Sequence, residues 1–591
     1  MTIRTLNELF YSVVERDLKE AMLFKRGDQW IPITSRELYR DVVGVARALQ
    51  NWGIQKGDRV AILSENRPEW AIADFAALSF GAATVPIYAT LTAEQTLHLL
   101  RDSGARVILI SSRVQLEKFR SIQSQCGVER VVVMDSVNDP DVTPMEPLRL
   151  SGPDTRDTDF DNRALAIQPD EIATLIYTSG TTGTPKGAML SQGNLASNLQ
   201  HSLKLYDFHP GQRAISFLPL SHVTARHVDY AMMMHGVTIA YCPFHDQLLE
   251  AVREVKPNSF VAVPRVYEKI HNHVQNKAQS GIKRKIYEWA MEIGRAHKDE
   301  ILAGKAPSSF QWKLADRIFY SKVKNALGGH VEFFVSGGAP LSRDTLDWYA
   351  GMGVRIHEGY GLTETSPVIA LNNPRCYKPG SVGQVLKNVQ VRVAEDGEIL
   401  VKGPSVFKGY WNLPTETANA FEGEWFHTGD VGHLDKDGFL FITDRKKDLI
   451  KTSGGKFIAP QPIEGKLKAN ALVAEAAIIA DRRRFPSAVI APDFAALEYW
   501  ARQNRVPYGS RQELLANAQV FALFENVVQD LNKNLAQFEK IKKFLLVPDE
   551  FSIESGALTP TMKLKRRFIE ERYRQQIDRL YDSDVQLQRA S

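Results

Sequence analysis

Runs of apolar positions with helical spacing alternate with short apolar runs over the first 110 residues. After two good N-cap residues, Thr34 and Ser35, apolar side chains recur at helical spacing as far as residue 51, which predicts a helix. Further helices are predicted at 69–79 and at 92–101, and the second begins with a capping-box pattern. The short apolar runs predict buried strands at 60–63, 85–88 and 107–110. This alternation indicates a parallel α/β sheet.

Later segments depart from this alternation. Residues 136–165 are rich in Asp, Pro, Ser and Thr, which predicts an irregular connection. Residues 266–325 have helical spacing and many lysines and arginines, so this surface either faces a membrane or is simply solvated. Short strands with Gly-rich turns are predicted for 380–410, including a hairpin at 395–398.

A second unit is predicted to begin near residue 447. Its apolar pattern indicates a strand at 476–480 and a long helix around 512–537, followed by a basic stretch. Before it, the three consecutive methionines at 232–234 have two interpretations. Because methionine fills irregular space, they either line a channel for a flexible apolar ligand or pack in an ordinary core.

Composition limits the class of protein. With 591 residues, 44% hydrophobic and 24% charged, the chain is typical of a soluble globular enzyme of several structural units. A net charge of +4 does not indicate a nucleic-acid partner. The cysteines at 126, 242 and 376 lack metal-type spacing, which favours a reducing compartment. Neither a signal peptide nor a run of about 18 apolar residues is present, so we expect a cytoplasmic protein without a transmembrane segment.

Residues 177–187 carry the strongest chemical signal. After the apolar run 172–176, ten positions contain five hydroxylated residues, three glycines and one lysine, Lys186. Glycines allow close backbone approach, and hydroxyls, N–H groups and a lysine bind phosphate oxygens, so we predict a loop that holds a polyphosphate. It is not the P-loop, because glycine follows the lysine. The alternative is a Ser/Thr/Gly-rich surface linker.

Four further segments carry candidate chemistry. Residues 336–340 form a Gly-Gly turn after a strand-like run, where ligands commonly meet a sheet. Residues 357–365 contain Tyr360, whose ring suits a flat base, and Glu364, whose carboxylate suits Mg²⁺. Residues 425–430 place Asp430 on a turn where it can accept from ribose hydroxyls, and 558–566 offer a loop lysine. Each segment alone is a weak signal.

In this order and spacing, the segments resemble the adenylate-forming (AMP-dependent synthetase/ligase) superfamily over roughly residues 8–580. Four segments resemble its long-chain fatty acid–CoA ligases more closely: 218–222, 336–341, 444–451 with 454–455, and 558–563. One departure follows His222: Thr224 stands where those ligases commonly have an aromatic residue, before Ala225, Arg226 and His227. That departure concerns the shape of the acyl-channel entrance.

The resemblance implies an α/β fold in two domains. A large N-terminal adenylation domain of α/β sheet subdomains plus a small β subdomain would span residues 1–446 and bind the acyl group and ATP. A smaller, mobile α+β C-terminal domain, residues 447–591, would carry the catalytic lysine and the coenzyme A step.

The resemblance also implies roles for individual residues. Catalytic roles fall to Lys563, which would bridge the carboxylate and the α-phosphate, and to Glu364, His222 and Lys451. His222 would stand between the acyl channel and the phosphates. The alternative is that it is an ordinary histidine of the core. Thr178 and Glu364 would hold Mg²⁺. The implied ATP-binding residues are Thr178, Ser179, Gly180, Thr181, Thr182, Gly183, Thr184, Lys186, Gly337, Gly338, Ala339, Glu358, Gly359, Tyr360, Gly361, Thr363, Asp430, Arg445 and Lys447. Gly454 and Gly455 would bind coenzyme A.

The implied reaction has two steps: a fatty acid and ATP give acyl-AMP and pyrophosphate, and the acyl group then passes to coenzyme A. Rotation about Lys447 would exchange Lys563 for the face that contains Lys451. One alternative is a ligase that loads a carrier protein, and another is a non-catalytic acyl- or nucleotide-binding protein. Acyl chain length, oligomeric state and peripheral contact with the inner face of the membrane stay open.

Overall fold

The computed structural model describes residues 2–178, 185–278, 280–446, 449–453, 457–552, 555–559 and 564–589. Strands and helices are numbered along the chain. Two large sheets and three small ones contain all the strands of these described residues.

Nine of the described strands form the first large sheet. They are β1 (Met22–Arg26), β2 (Gln29–Ile33), β10 (Arg213–Ser216), β11 (Thr238–Tyr241), β12 (Ser259–Ala262), β13 (Phe333–Ser336), β14 (Ile356–Gly361), β15 (Val368–Leu371) and β16 (Gln384–Val385). Their order is β16-β15-β14-β13-β12-β10-β11-β1-β2. The central pairs are parallel, and antiparallel strands close both edges. The carboxyl ends of β10 to β14 therefore lie along one side of the sheet.

The second large sheet contains seven of the described strands. They are β3 (Arg59–Leu63), β4 (Ala83–Ile87), β5 (Val107–Ile110), β6 (Arg130–Val133), β7 (Thr143–Pro144), β8 (Ile172–Thr178) and β9 (Lys186–Ser191). The order is β7-β6-β5-β3-β4-β8-β9, and only the β8/β9 pair among these is antiparallel. The parallel pairs confirm the predicted parallel sheet. Parallel neighbours need crossover connections, and helices supply them and bury both faces of the hydrophobic strands.

Three small sheets follow in the described part of the chain. One contains β17 (Gln390–Val393), β18 (Glu398–Lys402), β19 (Phe421–Glu422), β20 (Trp425–Leu434) and β21 (Leu440–Arg445). Another pairs β22 (Ile450–Lys451) with β23 (Phe457–Ile458), and the last contains β24 (Val473–Ile479), β25 (Ser487–Pro492) and β26 (Lys543–Leu546). The predicted hairpin at 395–398 joins β17 to β18.

The helices cover the sheets. They are α1 (Leu6–Glu15), α2 (Ser35–Asn51), α3 (Pro68–Leu78), α4 (Ala93–Ser103), α5 (Arg113–Arg120), α6 (Met145–Leu150), α7 (Thr158–Leu165), α8 (Gln192–Ser202), α9 (Val223–Met234), α10 (Leu248–Val255), α11 (Pro264–Lys277), α12 (Gly281–Leu302), α13 (Phe310–Ala315), α14 (Ser321–Ala326), α15 (Arg343–Gly351), α16 (Pro414–Asn419), α17 (Pro460–Lys468), α18 (Phe494–Gln503), α19 (Arg511–Ala516), α20 (Ala518–Asn532), α21 (Arg566–Arg572) and α22 (Arg574–Arg589). The predicted capping box at Thr92 begins α4, and Thr34, predicted as an N-cap residue, begins α2 with a capping box as well.

Two predictions about elements are wrong. The segment 136–165 is not irregular, because it contains β7, α6 and α7. Asp157 caps α7, and Phe160 and Ala164 bury its apolar face. The long helix predicted around 512–537 is two helices, α19 and α20, because Asn517 has extended backbone and caps the second.

Buried side chains form several separate groups, of which the largest lies in the larger N-terminal domain and another in the smaller C-terminal domain. The largest group joins both large sheets, through residues such as Ile62 and Ile239, and also contains Met232 to Met234. These methionines pack in the core, which is the second of their two interpretations. A smaller group from Ile450 to Phe544 is the main core of the C-terminal domain. The domain boundary at 446/447 stays a prediction.

Within the ranges that the structure describes, no helix has both the length and the apolar character needed to cross a bilayer.

Candidate active site

The predicted phosphate loop joins the two strands of an antiparallel hairpin. Strand β8 ends at Thr178 and β9 begins at Lys186, and these two residues are opposite each other in the register. β8 is largely buried, and β9 continues directly into α8. The flanks of the loop are therefore strands of the core sheet, while residues 179–184 lie outside the described part of the chain.

The Gly-Gly turn and the segment with Tyr360 meet at the carboxyl ends of β13 and β14. Ser336 is the register partner of Glu358 in this parallel pair. A side-chain Cβ at Gly337 would lie 3.6 Å from the carbonyl oxygen of Gly359. Gly338, with a φ of +82°, and Ala339 continue away from the strand. The backbone at this edge is thus open to a flat ligand, in the place where parallel sheets commonly bind ligands.

Tyr360 and Asp430 are in direct contact, although 70 residues separate them. The Tyr360 hydroxyl donates to a carboxylate oxygen of Asp430 at 2.7 Å. Arg445, the register partner of Asp430 across β20 and β21, lies 3.2 Å from the other oxygen. The carboxylate is therefore held between a phenol and a guanidinium beside the Tyr360 ring, which fits a site for a base and its ribose.

Glu364 lies in the short 3₁₀ turn Thr363–Thr365 directly after β14. Burial raises the pKa of its carboxyl group, and a hydrogen bond from Tyr410 and the charge of Arg445 oppose that increase. The Tyr410 hydroxyl donates to Glu364 at 2.8 Å, and the Lys186 ammonium lies 5.4 Å from the centre of the Tyr410 ring. Tyr410 thus connects the phosphate hairpin with Glu364, and sequence reasoning missed it, because a Lys-Gly-Tyr-Trp run carries no chemical signal of its own.

Glu358 is the second carboxyl group with an unusual environment. Burial raises its pKa to about 7, against opposing effects of the Arg343 charge and of hydrogen bonds from the backbone of Leu341 and Gly380. Burial thus favours the protonated form, in which this carboxyl group can donate a hydrogen bond at the edge of the site.

Two glycines and a threonine of the same segment are packed tightly. A Cβ at Gly361 would lie 1.8 Å from the carbonyl oxygen of Pro367, and one at Gly359 would lie 2.8 Å from Leu371. Thr363 is buried beside them. The segment from β14 to Glu364 is therefore fixed by backbone packing, so its glycines are required by shape as well as by any ligand.

His222 lies at the N-terminus of α9, where its ring accepts a hydrogen bond from the Thr224 backbone N–H at 3.1 Å. It is half-buried and follows β10 by six residues. The intervening loop is held by Asn66, whose side chain accepts from the Leu220 N–H at 3.1 Å and donates to the Leu218 carbonyl at 2.7 Å. Asn66 is a positioning residue that the sequence did not reveal, since its partner lies 154 residues away.

Ala225, Arg226 and His227, which follow Thr224, are buried. Arg226 is fully buried and forms an ion pair with Asp74, and its Nε donates to the Tyr230 hydroxyl at 2.7 Å. His227 is buried and forms a 2.8 Å hydrogen bond with Ser202, and burial lowers its pKa to about 3. Arg226 and His227 therefore pack in the core, and the effect of Thr224 on the shape of the acyl-channel entrance stays a prediction.

Several predicted site residues lie outside the described part of the chain: Ser179, Gly180, Thr181, Thr182, Gly183, Thr184, Lys447, Gly454, Gly455 and Lys563. The backbone of Lys451 belongs to β22, and its side chain lies outside the described part. Their roles stay predictions.

The chemistry of Thr178 and Glu364 fits Mg²⁺. A hydroxyl and a carboxylate are hard oxygen donors, and Mg²⁺ commonly binds one or two carboxylates together with substrate phosphates and water. In the described ranges, no group of three or more His, Cys, Asp and Glu side chains is arranged to hold a metal ion. A cation here would accordingly take most of its ligands from a bound nucleotide and from water.

Comparison with known families supports this interpretation. A family model described as AMP-binding enzyme matches residues 11–411, and another, AMP-binding enzyme C-terminal domain, matches residues 447–585. A protein of Mycobacterium tuberculosis named long-chain-fatty-acid–CoA ligase FadD15 is 36% identical over 587 residues, which are 96% of each chain. A human protein named long-chain-fatty-acid–CoA ligase ACSBG1 is 32% identical, and the match spans 98% of this chain and 85% of that protein.

Solved structures agree with the fold. The anthranilate CoA ligase AuaEII in complex with anthranoyl-AMP superposes with a TM-score of 0.73 at 20% identity, over 95% of this chain and 96% of that one. ATP-bound MatB from Rhodopseudomonas palustris gives a TM-score of 0.70 at 24% identity, over 96% and 99% of the two chains. At these identities the similarity establishes the architecture alone.

Proposed function

Since the chain belongs to the AMP-binding enzyme family, we propose that it is an AMP-forming long-chain fatty acid–CoA ligase. Relatives named for that activity match nearly its whole length at 31–36% identity. The single observation that carries the proposal is the convergence of Lys186, Tyr410 and Glu364 next to the Tyr360–Asp430–Arg445 group. One site thus offers Lys186 for phosphates, Glu364 for a metal ion, and Tyr360 and Asp430 for a nucleoside.

The first step is an attack by a carboxylate oxygen of the fatty acid on the α-phosphorus of ATP. The bond to the bridging oxygen breaks, and pyrophosphate leaves with the electron pair. The obstacle is electrostatic, because an anion approaches a polyanion, and positive charge with oriented donors lowers it. Lys186 and the loop 179–184 supply both around the β- and γ-phosphates. Mg²⁺, held by Thr178 and Glu364, would supply charge neutralisation for the leaving pyrophosphate.

The nucleoside half of ATP is held by the second group of residues. Tyr360 offers its ring to adenine beside Gly338, and Asp430 accepts from the ribose hydroxyls. Because the Tyr360 hydroxyl and Arg445 already fix this carboxylate, little ordering is needed when ATP binds. Glu358, paired with Ser336 across β13 and β14, adds a polar group at the carboxyl ends of these strands.

The second step is an attack by the thiol of coenzyme A on the acyl carbonyl of acyl-AMP. The thiol loses its proton, the thioester forms, and AMP leaves. We assign Lys563 to the first step, as a flexible point charge between the carboxylate and the α-phosphate. The C-terminal domain then rotates about Lys447, which removes Lys563 from the site. The face with Lys451, Gly454 and Gly455 takes its place, and its glycines leave room for the pantetheine arm. One site then performs both steps by exchanging its lid.

A panel of carboxylic acids tests the proposal. With ATP and Mg²⁺ but without coenzyme A, the purified enzyme should exchange labelled pyrophosphate into ATP with long-chain acids. When coenzyme A is added, it should release AMP and free acyl-CoA. Lys563→Ala is the negative control for exchange and should still form thioester from supplied acyl-AMP.

The outcomes distinguish the alternatives. Exchange without free acyl-CoA would point to a carrier-protein acceptor and overturn the coenzyme A assignment. A protein that binds ATP but gives no exchange with any acid from acetate to a C20 acid would be non-catalytic, and the whole proposal would fail.

A further inference from the structure

The segment 407–411 binds both sides of the phosphate site through its backbone. The Trp411 N–H donates to Gly187 at 2.7 Å, and the Met189 N–H donates to Gly409 at 2.9 Å, so this segment pairs with β9. At its other end, the Phe407 N–H donates to the Glu364 carbonyl at 2.8 Å. The segment therefore fixes the distance between the hairpin with Lys186 and the turn with Glu364.

The side chain of Tyr410 also connects the two sides of the site, because it contacts both the Glu364 carboxylate and the Lys186 ammonium group. Its hydroxyl donates to Glu364 Oε1 at 2.8 Å, and its ring centre lies 5.4 Å from Lys186 Nζ. A phenol that donates to a carboxylate fixes the direction of one oxygen, which leaves the other for a cation. The ring face attracts the ammonium group and holds it on the same side of the site.

We propose that Tyr410 is a positioning residue of the metal–nucleotide site, which orients the Glu364 carboxylate for the divalent cation and holds Lys186 beside it. This inference rests on the proposed function for the identity of the nucleotide, ATP. Tyr410 does not itself touch a reacting atom in this proposal. It acts through Glu364 and Lys186, so its loss should weaken metal–nucleotide binding.

The Tyr410 ring is held independently of its hydroxyl. The Tyr410 N–H donates to the Thr417 hydroxyl at 2.9 Å, and the Phe407 ring packs edge-on against the Tyr410 ring at 4.9 Å. A backbone bridge also pairs residue 410 with Ala188. Tyr410→Phe should therefore keep the fold and the ring–ammonium contact, and remove only the hydrogen bond to Glu364.

Trp411 offers a matched control on the same segment. Its indole N–H donates to the Asp102 carbonyl at 3.0 Å, away from Glu364. Trp411→Phe thus removes one side-chain hydrogen bond from a neighbouring aromatic residue without changing the contact to the carboxylate. A purely structural role for the segment predicts similar effects of the two substitutions.

The test measures binding of Mn²⁺ with ATP, without acid or coenzyme A, by electron paramagnetic resonance and calorimetry. We expect Tyr410→Phe to weaken Mn²⁺ binding in the ATP complex about 10- to 100-fold, the effect of one hydrogen bond to a charged group. Trp411→Phe should stay within about threefold of the wild type. Tyr410→Leu, which also loses the ring, should weaken binding further. Tyr410→Phe should remain folded, with a cooperative thermal transition like that of the wild type, so that the loss of Mn²⁺ binding does not come from unfolding.

Each result decides one question. If Tyr410→Phe binds Mn²⁺ and ATP like the wild type, or if Trp411→Phe loses as much, the positioning role is wrong. If the wild type binds Mn²⁺ and ATP but forms no acyl-AMP, the proposed function fails, and the variants still decide the role of Tyr410. If the wild type does not bind the two together, both proposals are overturned.

Discussion

Asp229, on α9, has a carboxyl group that is buried in the core. It is not one of the predicted site residues. Its Oδ2 accepts from the Ser216 hydroxyl at 2.9 Å, and burial raises its pKa to about 7. In an unfolded chain its pKa would be near the ordinary value of 3.8. Between these two pH values the folded protein keeps a proton that the unfolded chain has lost, so stability falls as the pH rises through this window.

Asp229→Asn removes this pH dependence, because an amide does not ionise and can still accept from Ser216. Relative to the wild type, the variant should gain about 1–3 kcal/mol of stability between pH 5 and pH 8. Melting temperatures of both proteins across this range measure the effect, and pH 5 serves as the internal reference. Parallel melting curves against pH would show that Asp229 ionises normally.

At the scale of single elements, the turn from β14 to the 3₁₀ helix shows how packing decides a site. The carbonyl of Pro367 occupies the space that any side chain at Gly361 would need, and the Leu362 N–H donates to that carbonyl at 3.2 Å. Tyr360 and Glu364 lie on the two sides of this contact. A displacement here would move the aromatic ring and the carboxylate together.

Gly361→Ala should therefore lower the rate of pyrophosphate exchange at least about 100-fold, since misplaced groups lose positioning energy of several kcal/mol. Gly465→Ala is the matched control, because no heavy atom lies within 4 Å of its added Cβ on α17. That substitution should keep full exchange activity and stabilise the helix by about 0.5–1 kcal/mol. Exchange rates and melting temperatures of the pair test the argument, which equal losses of activity would contradict.

At the scale of the whole molecule, an ion pair between described residues connects the N-terminal and C-terminal domains. Arg265, on α11, lies 3.5 Å from Glu475 on β24, and Lys468 on α17 lies 3.5 Å from the same carboxylate. Glu475 is only 4% exposed. A contact made in one arrangement of the domains and broken in another shifts the balance between them by its differential energy.

Glu475→Gln should therefore change the two half-reactions in opposite directions. The ratio of pyrophosphate exchange to thioester formation from supplied acyl-AMP should change at least about threefold, or roughly 0.7 kcal/mol in the balance of arrangements. Asp530→Asn, which breaks the exposed pair with Lys533 inside one domain, is the control and should leave the ratio unchanged. An unchanged ratio for Glu475→Gln would mean that this contact is present in both arrangements or contributes nothing.

Local signals in the sequence determined much of this protein. Apolar spacing and capping residues predicted α2, α4 and the strands β3 to β5, because helix and strand periodicity depends on neighbouring residues alone. Such signals failed at 136–165 and at Asn517, where burial of a few apolar side chains and a single cap decided the outcome. The order of the motifs also sufficed to indicate the family.

The tertiary structure alone decided which side chains meet. Tyr360 contacts Asp430, and Tyr410 contacts Glu364, across 70 and 46 residues, because the fold brings strand, turn and loop segments that are distant in sequence to one site. The sequence named three of these four residues through their resemblance to a family, and it gave no reason to choose Tyr410. A residue that acts by orienting another has no chemical signature in its own neighbourhood, since its role depends on a distance that only the folded chain sets.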